Sequence, residues 1–145
     1  MQSQLLRALA NATVGTNTKL VLVIMSGSAV AVPWAAASPQ VPAIIQLFYP
    51  GVLGGEGLAD IILGKAAPGG KLPIMVPTGE GQLPKDYLDQ SMQAPPGRTH
   101  RYFTGQPLFS FGHGLSYSSF RYSNLSVSHS LLPAGSPDTE STQPV

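Results

Sequence analysis

Glu56 and Asp60 stand four positions apart, so on a helix they would share one face with their Cβ atoms about 5 to 6 Å apart. Two carboxyls at about 5 to 5.5 Å are the equipment of retaining glycoside hydrolysis, but they must flank the scissile bond from opposite sides. Neighbours on one helix face cannot do that. The plainer reading has Glu56 complementing a helix N-terminus and Asp60 paired with a basic side chain. A second cluster, Arg98, His100, Arg101 and Tyr102 with Phe103 beside them, puts donors and aromatic faces on one loop. Such a set can hold a carboxylate, a phosphate or a sugar. It can equally anchor the loop, with an ion pair from Arg101 to Asp60 as the candidate contact.

The other motifs point to no chemistry of their own. Gly51, Gly54, Gly55 and Gly57 sit where a phosphate-binding turn would, yet they lack the G-x-G-x-x-G spacing, and Glu56 puts a carboxylate where a pyrophosphate would go. Close approach of a helix to a sheet is the preferred use of these glycines. Gly64-Lys65 and Gly70-Lys71 lack the Ser or Thr of a P-loop. His100, His113 and His129 have neither metalloprotease spacing nor a carboxylate cluster, so no metal and no cofactor is expected. Gly114-Leu115-Ser116-Tyr117-Ser118 begins like a nucleophile elbow but ends in Ser where the turn requires Gly.

These residues need elements to position them. Leu5, Leu6, Ala8, Leu9 and Ala12 recur at helical spacing, and the run Gly15-Thr16-Asn17-Thr18 ends that helix. Lys19 to Met25 is a run of Val, Leu and Ile without alternation, as in a parallel strand buried on both faces. A helical turn within 31–37 and a second strand within 41–49 follow. After the glycine loop, Leu58, Ile61 and Ile62 give a short helix ending at Gly64. Leu72, Ile74 and Val76 alternate with Pro73 and Pro77, which predicts an edge strand or a polyproline-like segment.

Residues 78–106 form a long polar, aperiodic loop, and such a loop inside a compact domain is usually functional or a linker. From Pro107 to Ser130 the chain turns aromatic and β-prone, with a boundary expected around Phe109 to Gly114. Residues 131–145 have the composition of a disordered tail.

Only 15 of the 145 residues are charged while 30 are Gly or Pro, so the chain is short of surface residues and reads as part of something larger. The net charge of +1 is scattered without a basic stripe, which argues against a nucleic-acid partner. Without cysteine there is no disulfide framework to read. The charge-free stretch 20–55 has a continuous apolar core of only Leu20 to Met25, too short for a membrane span. Asn11-Ala12-Thr13 and Asn124-Leu125-Ser126 are glycosylation candidates, and the first residues lack the character of a signal peptide.

The order of these blocks is specific. Residues 19–27, then Tyr49-Pro50-Gly51 with Gly54-Gly55 and Leu58-Ala59-Asp60, then Pro68-Gly69-Gly70-Lys71-Leu72-Pro73, then Pro96 to Phe103, then Phe111-Gly112-His113-Gly114-Leu115-Ser116-Tyr117 follow one another. Over roughly residues 2–128 this order resembles the later part of the second domain of glycoside hydrolase family 3. The resemblance lies closest to its β-xylosidase and α-arabinofuranosidase branch, with β-glucosidases next.

The resemblance implies an α/β fold: the C-terminal part of an α/β sandwich domain over 1–106, then the first strand or strands of a fibronectin type III-like β-sandwich over 107–130. It implies an exo-acting retaining β-glycosidase, most simply a β-D-xylosidase acting on plant polysaccharide, secreted or cell-wall bound when intact. Its partners would be an oligosaccharide or polysaccharide substrate and a (β/α)₈ barrel. The nucleophile and the acid/base would both lie outside this sequence, so no catalytic residue is assigned and the chain alone is expected to be inactive. Glu56 falls where the family varies, and Val52 and Leu53 replace a more polar pair. Two other readings stay open: a non-catalytic carbohydrate-binding remnant, and a small nucleotide-binding α/β protein.

Overall fold

The computed structural model describes residues 2–86 and 88–127; His129, the stretch 128–130 of the expected β-sandwich strand and the expected tail 131–145 lie outside them. In chain order the elements are α1 (Gln2–Ala12), β1 (Val21–Ile24), α2 (Pro33–Ala36), β2 (Ala43–Gln46), α3 (Gly54–Ile62), a 3-10 turn (Glu80–Gln82) and α4 (Thr99–Tyr102).

β1 and β2 pair in parallel, with Val21 opposite Ala43 and Ile24 opposite Gln46. Parallel neighbours need a crossover, and the segment carrying α2 supplies it, started by Pro33 at the first helical position, where a missing N–H costs nothing. Bonds from Leu20 N to Gln40 O (3.0 Å) and from Leu47 N to Ile24 O (2.8 Å) extend the ladder at both ends. The expected strand buried on both faces is not what forms. Val21 is exposed and Leu22, Val23 and Ile24 are only half-buried, because side chains leave a strand through the faces of the sheet and the described residues cover those faces only in part.

The core is small. Ala10, Val32, Ala35 and Val41 are buried together, with Leu22, Ile24, Trp34, Ile44 and Leu108 packed around them. Arg7 lays its guanidinium over Trp34, 5.2 Å from the ring centroid, joining α1 to this cluster. Much apolar surface stays uncovered: Val52, Leu53 and Leu63 around α3, and Leu5 and Leu9 on α1, are all exposed. Apolar surface on this scale exceeds scattered single residues and marks faces built to be covered.

α3 ends where the sequence predicts. Gly64 takes a positive φ of 71°, its N–H bonds Ile61 O at 3.1 Å, and Lys65 N bonds Asp60 O at 2.8 Å, the two bonds of a Schellman cap. The glycines before it have a narrower role than close approach to the sheet. Gly54 alone is buried, and a Cβ there would overlap the Pro50 ring; Gly55 and Gly57 face open space.

The segment 72–76 forms no strand of its own. It meets residues 108–113: Val76 and Phe109 form an antiparallel bridge, Leu72 N donates to His113 O at 2.9 Å, and Gly112 N donates to Leu72 O at 2.8 Å. Lys71 Nζ reaches the Gly114 carbonyl. Residues 115–127 contain no helix or strand, so the β-prone pattern there has no ladder among the described residues. Alternation alone does not make a strand, since its backbone groups need a paired neighbour.

Candidate functional site

The long loop 78–106 is clamped at its base. Gln82 accepts from Thr78 N at 2.7 Å through its Oε1 and donates from its Nε2 to Gln106 O at 2.8 Å, so one side chain ties the first turn of the loop to its last residue. The Val76–Phe109 bridge closes the chain just outside that tie.

Arg98 organises the interior. Its guanidinium donates to the carbonyls of Asp89 (2.6 Å), Ser91 (3.3 Å) and Asp86 (3.3 Å), and its own N–H bonds Met92 O at 2.8 Å. A planar fork of five donors suits this task, because several carbonyls can be satisfied from one fixed group. Arg98 is therefore committed to the loop backbone. Thr104 returns the chain, its N–H and hydroxyl both reaching Pro96 O at 3.0 and 3.2 Å.

Between these ties lies α4, a single turn. Thr99, its first residue, carries a positive φ of 58°, a conformation that a β-branched side chain rarely adopts. Such strain persists where surrounding contacts over-determine it. The turn presents His100 against Phe111, ring centroids 3.9 Å apart and planes 20° apart. Met75, His100, Phe103, Pro107, Ser110 and Phe111 line an open concavity of about 340 Å³ beside that stack. It offers aromatic and aliphatic faces with an imidazole at His100 and a hydroxyl at Ser110.

Arg101 and Tyr102 stand apart from that concavity. The Arg101 guanidinium lies 5.8 Å from the Tyr102 ring centroid and is exposed. The expected ion pair from Arg101 to Asp60 does not form: Asp60 Oδ1 meets Lys65 Nζ at 3.7 Å. The Schellman turn explains this, because it folds residue 65 back over the carbonyl of Asp60 and brings the lysine side chain with it. Of the four loop residues singled out by type, then, the structure sets Arg98 to hold the loop, His100 to line the concavity, and Arg101 and Tyr102 together on its flank. Phe111, Ser110 and Met75 were not singled out, although Phe111 opens the Phe-Gly-His-Gly block and marks it as aromatic.

His113 stacks on Phe109 at 5.1 Å, so both described histidines sit in aromatic pairs. Among the described residues no group of three or more His, Asp or Glu side chains is placed to hold a metal. Ser116 lies in a segment without strand or helix, which is not the strand-turn-helix setting of a nucleophile elbow. Glu56 is exposed on the first turn of α3, one turn before Asp60. Among the described residues no helix is long and apolar enough to cross a membrane.

A parallel βαβ unit flanked by helices defines part of an α/β domain. The chain belongs to the glycosyl hydrolase family 3 C-terminal domain family, whose model matches residues 1–117. It is 37% identical over 140 residues to a β-glucosidase of Bacteroides ovatus, covering 88% of this chain and 18% of that protein. It is 40% identical over 131 residues to β-D-xylosidase 1 of Arabidopsis thaliana, covering 84% of this chain and 16% of that protein.

Among solved structures it is similar to a family 3 exo-β-xylosidase in complex with a xylobiose aziridine probe, with a TM-score of 0.70 and 34% identity over 80% of this chain and 15% of that one. It is also similar to a β-D-glucoside glucohydrolase of Trichoderma reesei, with a TM-score of 0.67 and 30% identity, covering 82% of this chain and 18% of that one. The chain thus spans about a sixth of the length of the proteins it matches.

Proposed function

We propose that this chain is the C-terminal α/β segment of an exo-acting retaining β-glycosidase that removes a terminal xylose or glucose. The observation that carries the reading is the family match over residues 1–117 together with relatives named for each sugar at nearly equal identity, 37% and 40%. The β-xylosidase reading follows the pattern of the Pro96 to Phe103 and Phe111 to Tyr117 blocks. The β-glucosidase reading is supported as well by the relatives.

In double displacement one carboxylate attacks the anomeric carbon while a second carboxyl protonates the leaving oxygen, and water then releases the sugar. Glu56 and Asp60 do not fill these roles, since they follow one another along α3 and Asp60 is engaged by Lys65. Both catalytic carboxyls come from a partner (β/α)₈ barrel and from the preceding part of the sandwich domain. This segment contributes the scaffold and, through the concavity beside His100 and Phe111, contacts to the saccharide.

We place the end of the α/β unit after Tyr117 rather than at residue 106. Support comes from the matched range and from the packing of Leu108 into the core and of 108–113 onto 72–76. A fibronectin type III-like domain would follow, and polysaccharide substrates place the intact enzyme outside the cell.

Two assays on aryl β-xylosides and aryl β-glucosides test this, one with the chain alone and one with the chain joined to a family 3 barrel and its preceding sandwich segment. The chain alone is expected to turn over neither, and Glu56→Gln is expected to leave the joined enzyme's kcat within about twofold, as for a surface substitution away from the chemistry. Turnover by the chain alone that Glu56→Gln abolishes would overturn the reading.

A further inference from the structure

We propose that the carboxyl ends of β1 and β2, through Ser26, Gln46 and Tyr49, form a second contact to the saccharide, apart from the concavity at His100. In an open parallel sheet the strands point one way, and ligands bind in the crevice outside their carboxyl ends. β1 ends at Ile24 and β2 at Gln46, directly opposite in the register, so residues 25–28 and 46–49 meet at that end.

What meets there is polar and aromatic. Gln46 donates from its Nε2 to Ser26 Oγ at 3.1 Å, and Ser26 Oγ donates to the Ser28 carbonyl at 2.7 Å, so the amide is steered from β2 across to the end of β1. The Gln46 Oε1 accepts no bond among the described residues and is not buried. The ladder runs out at Leu47, Phe48 turns the chain with a positive φ of 54°, and Tyr49 then lies against Gly27. A Cβ at position 27 would come within 2.9 Å of Tyr49 Cε2, so glycine is what lets the ring cross onto the end of β1.

The chemistry of the set selects a neutral ligand. Residues 20–55 carry no charged side chain, which leaves nothing to balance a phosphate or a carboxylate. A hydroxyl, an amide and a phenol can instead exchange hydrogen bonds with the hydroxyls of a sugar, while the Tyr49 ring covers an apolar C–H face of it. The bare Leu and Val side chains around α1 and α3 need only a neighbour to cover them. Gln46 needs a hydrogen-bond partner, and a plain apolar face laid over it would leave its oxygen unpaired. With no carboxyl in 20–55, the contact holds substrate and takes no part in bond cleavage. This inference takes its ligand from the glycosidase reading above.

The test uses the joined enzyme, with xylobiose and cellobiose as probes in steady-state kinetics and in titration calorimetry. Gln46→Leu keeps the size of the side chain and removes the amide. It is expected to raise KM about three- to tenfold, the equivalent of one lost hydrogen bond, with kcat within about twofold and the melting temperature unmoved. Tyr49→Ala is expected to raise KM at least as much, and Tyr49→Phe, which keeps the ring, to recover most of the loss. An unchanged KM in Gln46→Leu or Tyr49→Ala, or a rise that comes only with lower kcat and a lower melting temperature, overturns the proposal, since the strand ends would then serve packing against a neighbouring domain. A joined enzyme that turns over no aryl glycoside counts against the glycosidase reading. Calorimetry then still decides the contact: weaker disaccharide binding by Gln46→Leu than by the parent supports it, and equal binding, or none by the parent, overturns it.

Discussion

Gly97 lies so close beneath the Tyr102 carbonyl that a Cβ at position 97 would overlap that oxygen, and its φ of 86° is one that L side chains rarely adopt. Glycine is required there on two independent counts, and the contact fixes where α4 sits on the loop. Gly97→Ala is expected to cost more than about 2 kcal/mol through the left-handed backbone and the overlap together. Chemical denaturation should show the loss, with hydrogen exchange fastest across 96–104. A variant as stable as the parent would show that α4 can shift without penalty.

Arg98→Ala removes a guanidinium that three carbonyls share, those of Asp86, Asp89 and Ser91. The site is only half-buried, so water can replace part of the loss, and about 1 to 2 kcal/mol of local stability is expected to disappear. Arg98→Lys should recover less than half of it, because an ammonium cannot reproduce the planar fork. Hydrogen-exchange protection of the loop between residues 86 and 98 is the direct readout.

A double-mutant cycle between Asp60 and Arg101 is expected to return no coupling, and one between Asp60 and Lys65 a small value of about 0.2 to 0.5 kcal/mol that fades with added salt. The Asp60–Lys65 side chains are 39% and 67% exposed at 3.7 Å, which is why the value is small. Coupling between Asp60 and Arg101 above about 0.5 kcal/mol would mean that the loop docks on α3 in solution.

Gly57→Ala, in the interior of α3 with open space around it, is expected to stabilise the chain by about 0.5 to 1 kcal/mol. Thermal melting should rise by about 2 to 5 °C. The same change in an enzyme whose other domains cover α3 would meet a neighbour, so a gain in the chain alone with a loss in the joined enzyme would map that covered face.

Local signals carried most of the elements. The Val, Leu and Ile run gave β1, Pro33 started α2, and Gly64 closed α3, each through the backbone preference of the residue itself. The family blocks were legible for a related reason: glycine and proline punctuation and aromatic positions recur in a fixed order along the chain. The alternation over Leu72, Ile74 and Val76 was seen too, but its partner could not be, because 108–113 lies far along the chain and nothing in either segment names the other.

By itself, then, the sequence determined the elements from α1 to α3, where the glycine-dependent turns fall and which family the chain belongs to, since all three depend on residue type and short-range spacing, while α4 and the missing strands at 72–76 and 115–127 were not legible in it. Only the tertiary structure decided that Asp60 meets Lys65, that Arg98 serves backbone carbonyls and that His100 stacks on Phe111. Those outcomes depend on which of several equally suitable partners the fold brings within about 4 Å, and charge and shape at one position do not encode the position of the other.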